Sequence, residues 1–184
     1  MKTVAYATVL ALILSAVSGC GRAAKEAVGT VMGAKGTYVQ LSPQVSKDRR
    51  LLADYKRFEL GQITDSFGGK VPPQVTEYLP AKFAQQLREA KLPNETGGKT
   101  LLIRGVIYHY EDEGLVGAVL GPLEEVVARL ELVDKSSGKV LATGNCIGRT
   151  TETVNKGTEK KAEGLAKAIV SWIKDNYPKI EDEE

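Results

Sequence analysis

Three runs in the second half of the chain constrain the fold more than any other feature. They are "LLIRGVIYHYEDEG" from residue 101, "LEEVVARLELVD" from residue 123 and "VLATGNCIGRTTE" from residue 140. Each alternates or is rich in β-branched residues, the pattern of strands with one face against a core. In the middle run Val126, Ala128, Leu130 and Leu132 point one way, and Val127, Arg129, Glu131 and Val133 the other. Between the second and third runs lies "DKSSGK", which has hairpin-turn chemistry, and before the second lies a Gly-rich turn. Short turns force antiparallel neighbours, so this region is predicted to form a three-stranded antiparallel meander.

The flanking segments say what packs on that meander. Tyr38, Val39 and Leu41 suggest a short extended piece stopped by Pro43, and Tyr55 to Ile63 reads as a strand with Phe58 and Leu60 on one face. Pro72 and Pro73 open a helix where proline is best tolerated. Its apolar stripe is Val75, Leu79, Phe83 and Leu87, and Pro80 inside it predicts a kink or a delayed start. "LPNETGGKT" then turns the chain. In "TEKKAEGLAKAIVSWIKDNYP" the residues Ala162, Leu165, Ile169, Trp172 and Ile173 share one helical face, with Thr158 as the expected cap. Strand, helix, three strands and helix make an α+β domain. The expected architecture is a two-layer sandwich: a largely antiparallel sheet of four to five strands with two helices packed on one face.

The N-terminus carries an address. Lys2 is followed by an uncharged stretch from Thr3 to Gly21, apolar at Leu10, Leu12, Ile13 and Leu14, then by Val17-Ser18-Gly19-Cys20. A basic start, an apolar centre and small residues before the cut define a secretory signal. "VSGC" resembles the bacterial lipobox, whose cysteine is acylated and becomes the first residue of the mature chain. The resemblance implies a cleaved lipoprotein signal peptide at 1–19, lipidation at Cys20 and a protein held at a membrane by its acyl chains. Gly21 stands where many such lipoproteins kept at the inner membrane have aspartate, which implies the outer membrane, periplasmic face. The competing reading is a retained helix, since the uncharged run is just long enough to span a bilayer. The Gly- and Ala-rich residues 20–36 read as a flexible tether, 37–178 as a single α/β domain and 179–184 as an acidic tail.

Charge and chemistry narrow the function further. Lys and Arg number 25 against 23 Asp and Glu, so there is no field of one sign to attract nucleic acid. With Cys20 lipidated, Cys146 has no partner in its own chain and reads as a buried core thiol. "TGGKT" at 96–100 is not a phosphate loop, because Pro93 stands where the first glycine belongs and a strand, not a helix, follows. No nucleophile elbow is present and the one histidine, His109, is tied to no serine by spacing. No catalysis and no cofactor are expected. On a strand, His109, Glu111 and Glu113 share a face and could hold a divalent metal, or form a polar strand end running into a turn. Tyr108 and Tyr110, on the other face of that strand, are either core aromatics under a helix or part of a ligand groove. The uncharged turn "GLVGAVLGP" at 114–122 holds Leu115, Val116, Val119 and Leu120 where turn tips are normally polar. It either folds back to bury them or docks onto a protein or the bilayer surface.

"LIRGVIYHYEDEG", with Gly105 mid-strand, and "ARLELVDKSSGKVLATG", with Asp134, Gly138 and Lys139 in its turn, resemble a bacterial lipoprotein domain of unknown function, number 4410. A weaker likeness is to the curli secretion-channel lipoprotein. The resemblance runs from about residue 53 to 175 and includes the closing amphipathic helix. It implies a two-layer α/β domain at the outer membrane that serves envelope assembly or export by binding partners. The channel family builds its pore from long hairpins, and the hairpin around 111–125 is too short for one. The expectation is a non-enzymatic lipoprotein whose partners are the membrane, through its N-terminal lipid, and another envelope protein. The alternative is a periplasmic metal-binding module or enzyme using His109, Glu111 and Glu113.

Overall fold

In a computed structural model, residues 33–42, 50–111, 124–150 and 157–178 are described. The order is β1 (Lys35–Ser42), β2 (Tyr55–Asp65), α1 (Pro73–Glu89), β3 (Lys99–Tyr110), β4 (Glu124–Asp134), β5 (Val140–Thr150) and α2 (Gly157–Asp175). The strands form one sheet in the order β1-β5-β4-β3-β2. The β3-β4-β5 meander is antiparallel throughout, as expected, and β1 adds antiparallel to β5. Among the described residues the one parallel pair, β2 with β3, is the pair joined through a helix, α1. The architecture is the expected α+β sandwich, with five strands.

One core lies between sheet and helices. Phe58, Leu101, Ile103, Ile107, Val126, Ala128, Leu130, Leu132, Ala142 and Cys146 supply the sheet side. The alternation read from β4 holds: Val126, Ala128, Leu130 and Leu132 are all fully buried in this core. From the other side come Val75, Leu79, Phe83 and Leu87 of α1 and Leu165, Ile169, Trp172 and Ile173 of α2. Pro80 neither delays nor stops α1, which runs unbroken from Pro73 with Pro80 on its exposed side. A proline there removes one backbone bond, and the buried stripe on the opposite face holds the helix in place regardless. The helix ends in a Schellman motif: Leu92 N–H donates to Leu87 O (3.1 Å) and Lys91 N–H to Arg88 O (3.0 Å), with Lys91 at φ 56°. Buried Leu87 and Leu92 make the apolar contact that accompanies this cap, so lysine takes the place glycine usually fills.

α2 lies on the sheet closer than side chains would allow. A Cβ on Gly148 would stand 2.4 Å from Leu165 N and 2.5 Å from Lys161 O, and one on Gly36 would stand 2.3 Å from both Ala168 N and Gly164 O. On the helix side, a Cβ on Gly164 would meet Lys35 O at 2.6 Å. Backbone therefore rests on backbone along a seam of glycines from β1, β5 and α2. This corrects the tether boundary: Gly36 is a packed strand residue, Ala34 is buried, and β1 begins at Lys35. Further along, Trp172 stacks on Tyr38 with centroids 6.3 Å apart, and its Nε1–H donates to Gln40 Oε1 at 2.8 Å. The helix begins at Gly157, so Thr158 lies within it and does not precede it.

The "DKSSGK" turn is organised by one carboxylate. Asp134 Oδ1 accepts from the backbone N–H and the hydroxyl of both Ser136 and Ser137, while Oδ2 accepts from the Tyr55 hydroxyl at 2.8 Å. These bonds, the Ser136 hydroxyl foremost, hold the Asp134 carboxyl well below the usual carboxylate range.

Candidate functional site

Both described helices lie on one face of the sheet, and no described helix packs on the other. Strand register sorts the side chains of that open face into rows. Lys35, Arg149 and Glu125 form one; Thr37, Ile147, Val127 and His109 the next; then Val39, Asn145, Arg129 and Val106; then Thr143, Glu131 and Arg104; and last Val140, Val133 and Leu102. The first and fourth rows are charged, the second and fifth mainly apolar, and the third sets Arg129 between Val106 and Asn145, with Val39 beyond. The charged rows are internally paired, Arg104 Nε with Glu131 at 3.0 Å and Arg149 Nε with Glu125. Val39 (54% exposed), Val140 (39%) and Tyr108 (37%) are left open to water here, with Leu41 (44%) at the bulged corner of β1.

A β-bulge decides what the aromatic pair does. The β3–β4 register slips between Ile107 and His109, so Tyr108 is the inserted residue. Simple alternation would put Tyr108 and Tyr110 on one face; the slip sends them to opposite faces. Tyr108 lies in the open face with the Arg129 guanidinium 5.5 Å from its ring centroid, and Arg129 Nε also donates to Asn145 Oδ1 at 3.3 Å. Tyr110 turns toward the helices, where the fully buried Lys161 of α2 sits 4.2 Å from its ring centroid. Lys161 Nζ donates to the Tyr110 hydroxyl (3.2 Å) and to Glu111 O (2.7 Å), tying the start of α2 to the end of β3. Sequence reading missed both the bulge and the buried lysine. Only the second left a trace, since Lys161 falls four residues before Leu165 on the apolar face of α2.

Of the residues singled out from sequence, His109 lies half-buried on the open face opposite Val127. Glu111 is exposed, its backbone N–H donating to Glu125 O at 2.8 Å. Among the described residues no three His, Cys, Asp or Glu side chains gather to hold a metal. Glu113, the turn residues Leu115, Val116, Val119 and Leu120, and Cys20 lie outside the described residues. Cys146 is fully buried, and burial pushes its thiol above the ordinary range, disfavouring the thiolate. Among the described residues no helix is long and apolar enough to cross a membrane.

Among solved structures the chain is similar to the PelC dodecamer from Paraburkholderia phytofirmans, as a single-residue variant and as PelC itself, each at 14% identity. The match covers 78% of this chain and 99% of that one, with TM-scores of 0.46 and 0.45. It is also similar to a minor lipoprotein from Acinetobacter baumannii at 16% identity, over 67% of this chain and 94% of that one, with a TM-score of 0.34. No protein-family model matches the sequence, and no curated protein matches it. The likeness to the domain of unknown function stands on the quoted residues alone.

Proposed function

We propose that the chain is a lipid-anchored lipoprotein of the outer membrane, facing the periplasm, that acts without catalysis by binding another envelope protein. The open face of its sheet makes the contact, and the apolar residues Leu115, Val116, Val119 and Leu120 add to it. The observation that carries this reading is the exposed Tyr108–Arg129 stack on a face that also leaves Val39 and Val140 open to water. Tyrosine and arginine are the residue types most enriched where protein interfaces concentrate their binding energy. A face that mixes apolar residues with internally paired charges suits a protein surface better than a bilayer interior. The anchor rests on "VSGC" after the uncharged run.

Crosslinking pull-down from native membranes is the test. Arg129→Glu is expected to reduce recovery of the partner at least tenfold, about 1.4 kcal/mol, with the melting temperature unchanged. Leu115→Asp plus Val119→Asp is expected to do the same. Full recovery with both variants would remove the proposed surface. Stoichiometric bound metal, lost in His109→Ala, would replace this reading with the periplasmic metal module built on His109, Glu111 and Glu113.

A further inference from the structure

The two edges of the sheet are built differently. The β2 edge carries Lys56, Arg57, Glu59 and Asp65, and its register with β3 slips twice, between Tyr55 and Arg57 and between Leu60 and Ile63. Charges and irregularities of this kind keep a sheet edge from pairing with another chain. The β1 edge has little of this protection. From Gly36 to Ser42 it carries no charge and no proline, and from Lys35 to Gln40 its register with β5 is unbroken. Among the described residues no strand pairs along its other side. In an antiparallel strand, alternate backbone groups point away from the one neighbour it has. On its open face stand Thr37 and Val39, and Val39 is the most exposed large apolar side chain in the described domain.

We propose that β1 pairs antiparallel with β1 of a second copy of this chain, joining two five-stranded sheets into one of ten. The occupant is a second copy because the edge is complementary to itself. Directly opposite residues share a face, so registers that set Thr37 and Val39 against one another, or against other open-face residues, keep the two helix layers on one side. The register that pairs the regular uncharged stretch Gly36–Gln40 end to end is centred on Tyr38. It sets Thr37 opposite Val39 of the second copy, twice by symmetry, and leaves Lys35 outside the paired stretch. No like charges meet, and a β-branched pair closes on the open face at each position. The proposal does not depend on the lipid anchor or on the partner protein, and it would make their docking face continuous across both copies.

Disulfide trapping in the full chain tests it, because antiparallel opposite residues have Cα atoms about 4.5–5.5 Å apart, within disulfide reach. Thr37→Cys and Val39→Cys are made as separate tagged chains, co-expressed and mildly oxidised in their own membranes; Cys146 is buried and stays silent. The expected result is a mixed dimer of twice the monomer mass, well above either variant alone and absent for Tyr78→Cys, an exposed site on α1 (42%). No product in the mixture or in either single variant would overturn the proposal, as would equal product from Tyr78→Cys. A crosslinked product of any other mass would assign the edge to a different protein and overturn it too. Val39→Lys puts a charge on the edge without touching the core. It is expected to abolish the dimer on native gels with an unchanged melting curve, and a dimer that survives it refutes the pairing.

Discussion

Gly148→Ala isolates the contact that fixes α2 on the sheet. The added methyl would lie 2.4 Å from Leu165 N and 2.5 Å from Lys161 O, whereas ordinary contact begins at 3.4 Å. Both neighbours are backbone atoms of α2, so no rotamer change relieves the clash. The helix must lift by about 1 Å, which opens the packing of Leu165, Ile169 and Trp172 against the sheet. Overpacking a core costs about 1–3 kcal/mol, and a rigid backbone neighbour places this case near the upper end, about 3 kcal/mol. For a domain of this size each kcal/mol lowers Tm by about 2–4 °C, giving an expected drop of about 6–12 °C. Thermal unfolding followed by circular dichroism measures it, with the near-ultraviolet signal of Trp172 reporting the lifted helix. Gly97→Ala is the control, since nothing lies within 4 Å of a Cβ there, and it should melt within about 2 °C of the parent. A Gly148→Ala chain that melts with the control would refute backbone-on-backbone packing.

Other expectations follow from single groups. Asp134 has its folded pKa depressed by its hydroxyl, amide and Tyr55 bonds, so its stabilisation is complete above the ordinary aspartate value of 3.8 and is lost as pH falls below it. Acid titration of Asp134→Asn should show a smaller loss of Tm over that range than the parent, and identical profiles would contradict the assignment. Cys146 should react with a bulky thiol reagent only on unfolding, so rapid native labelling would place it elsewhere than in the core. Cys20→Ser should block lipid labelling and leave an unprocessed precursor, whereas an acylated product of normal size would remove the lipoprotein reading.

Much of the fold was legible in the sequence because it rests on local periodicity. The alternation in β4, the turn chemistry of "DKSSGK" and the four-residue spacing of Val75, Leu79, Phe83 and Leu87 each identify an element and its buried face without reference to anything distant. Once those faces are known, two helices on one side of a mainly antiparallel sheet is nearly forced, because each apolar face needs one partner. The burial of Cys146 was equally legible, since its place in the alternation sets its face.

The rest depended on contacts between segments far apart in the chain. Gly36 reads as tether beside Ala34 and Lys35, and is a strand residue because it pairs with Gly148 under the close-packed α2 backbone. Pro80 looks like a helix breaker and is overruled by the packing of the stripe around it. The bulge at Tyr108 is a slip of register between two strands, a property of the pair that neither run of residues contains alone. It is also what separates Tyr108 from Tyr110 and puts one with Arg129 and the other with Lys161. Which edge of the sheet stays unguarded was settled by where β1 joined. An eight-residue strand carries no mark of its neighbour, and only the assembled sheet places it beside β5 with no strand on its other side among the described residues.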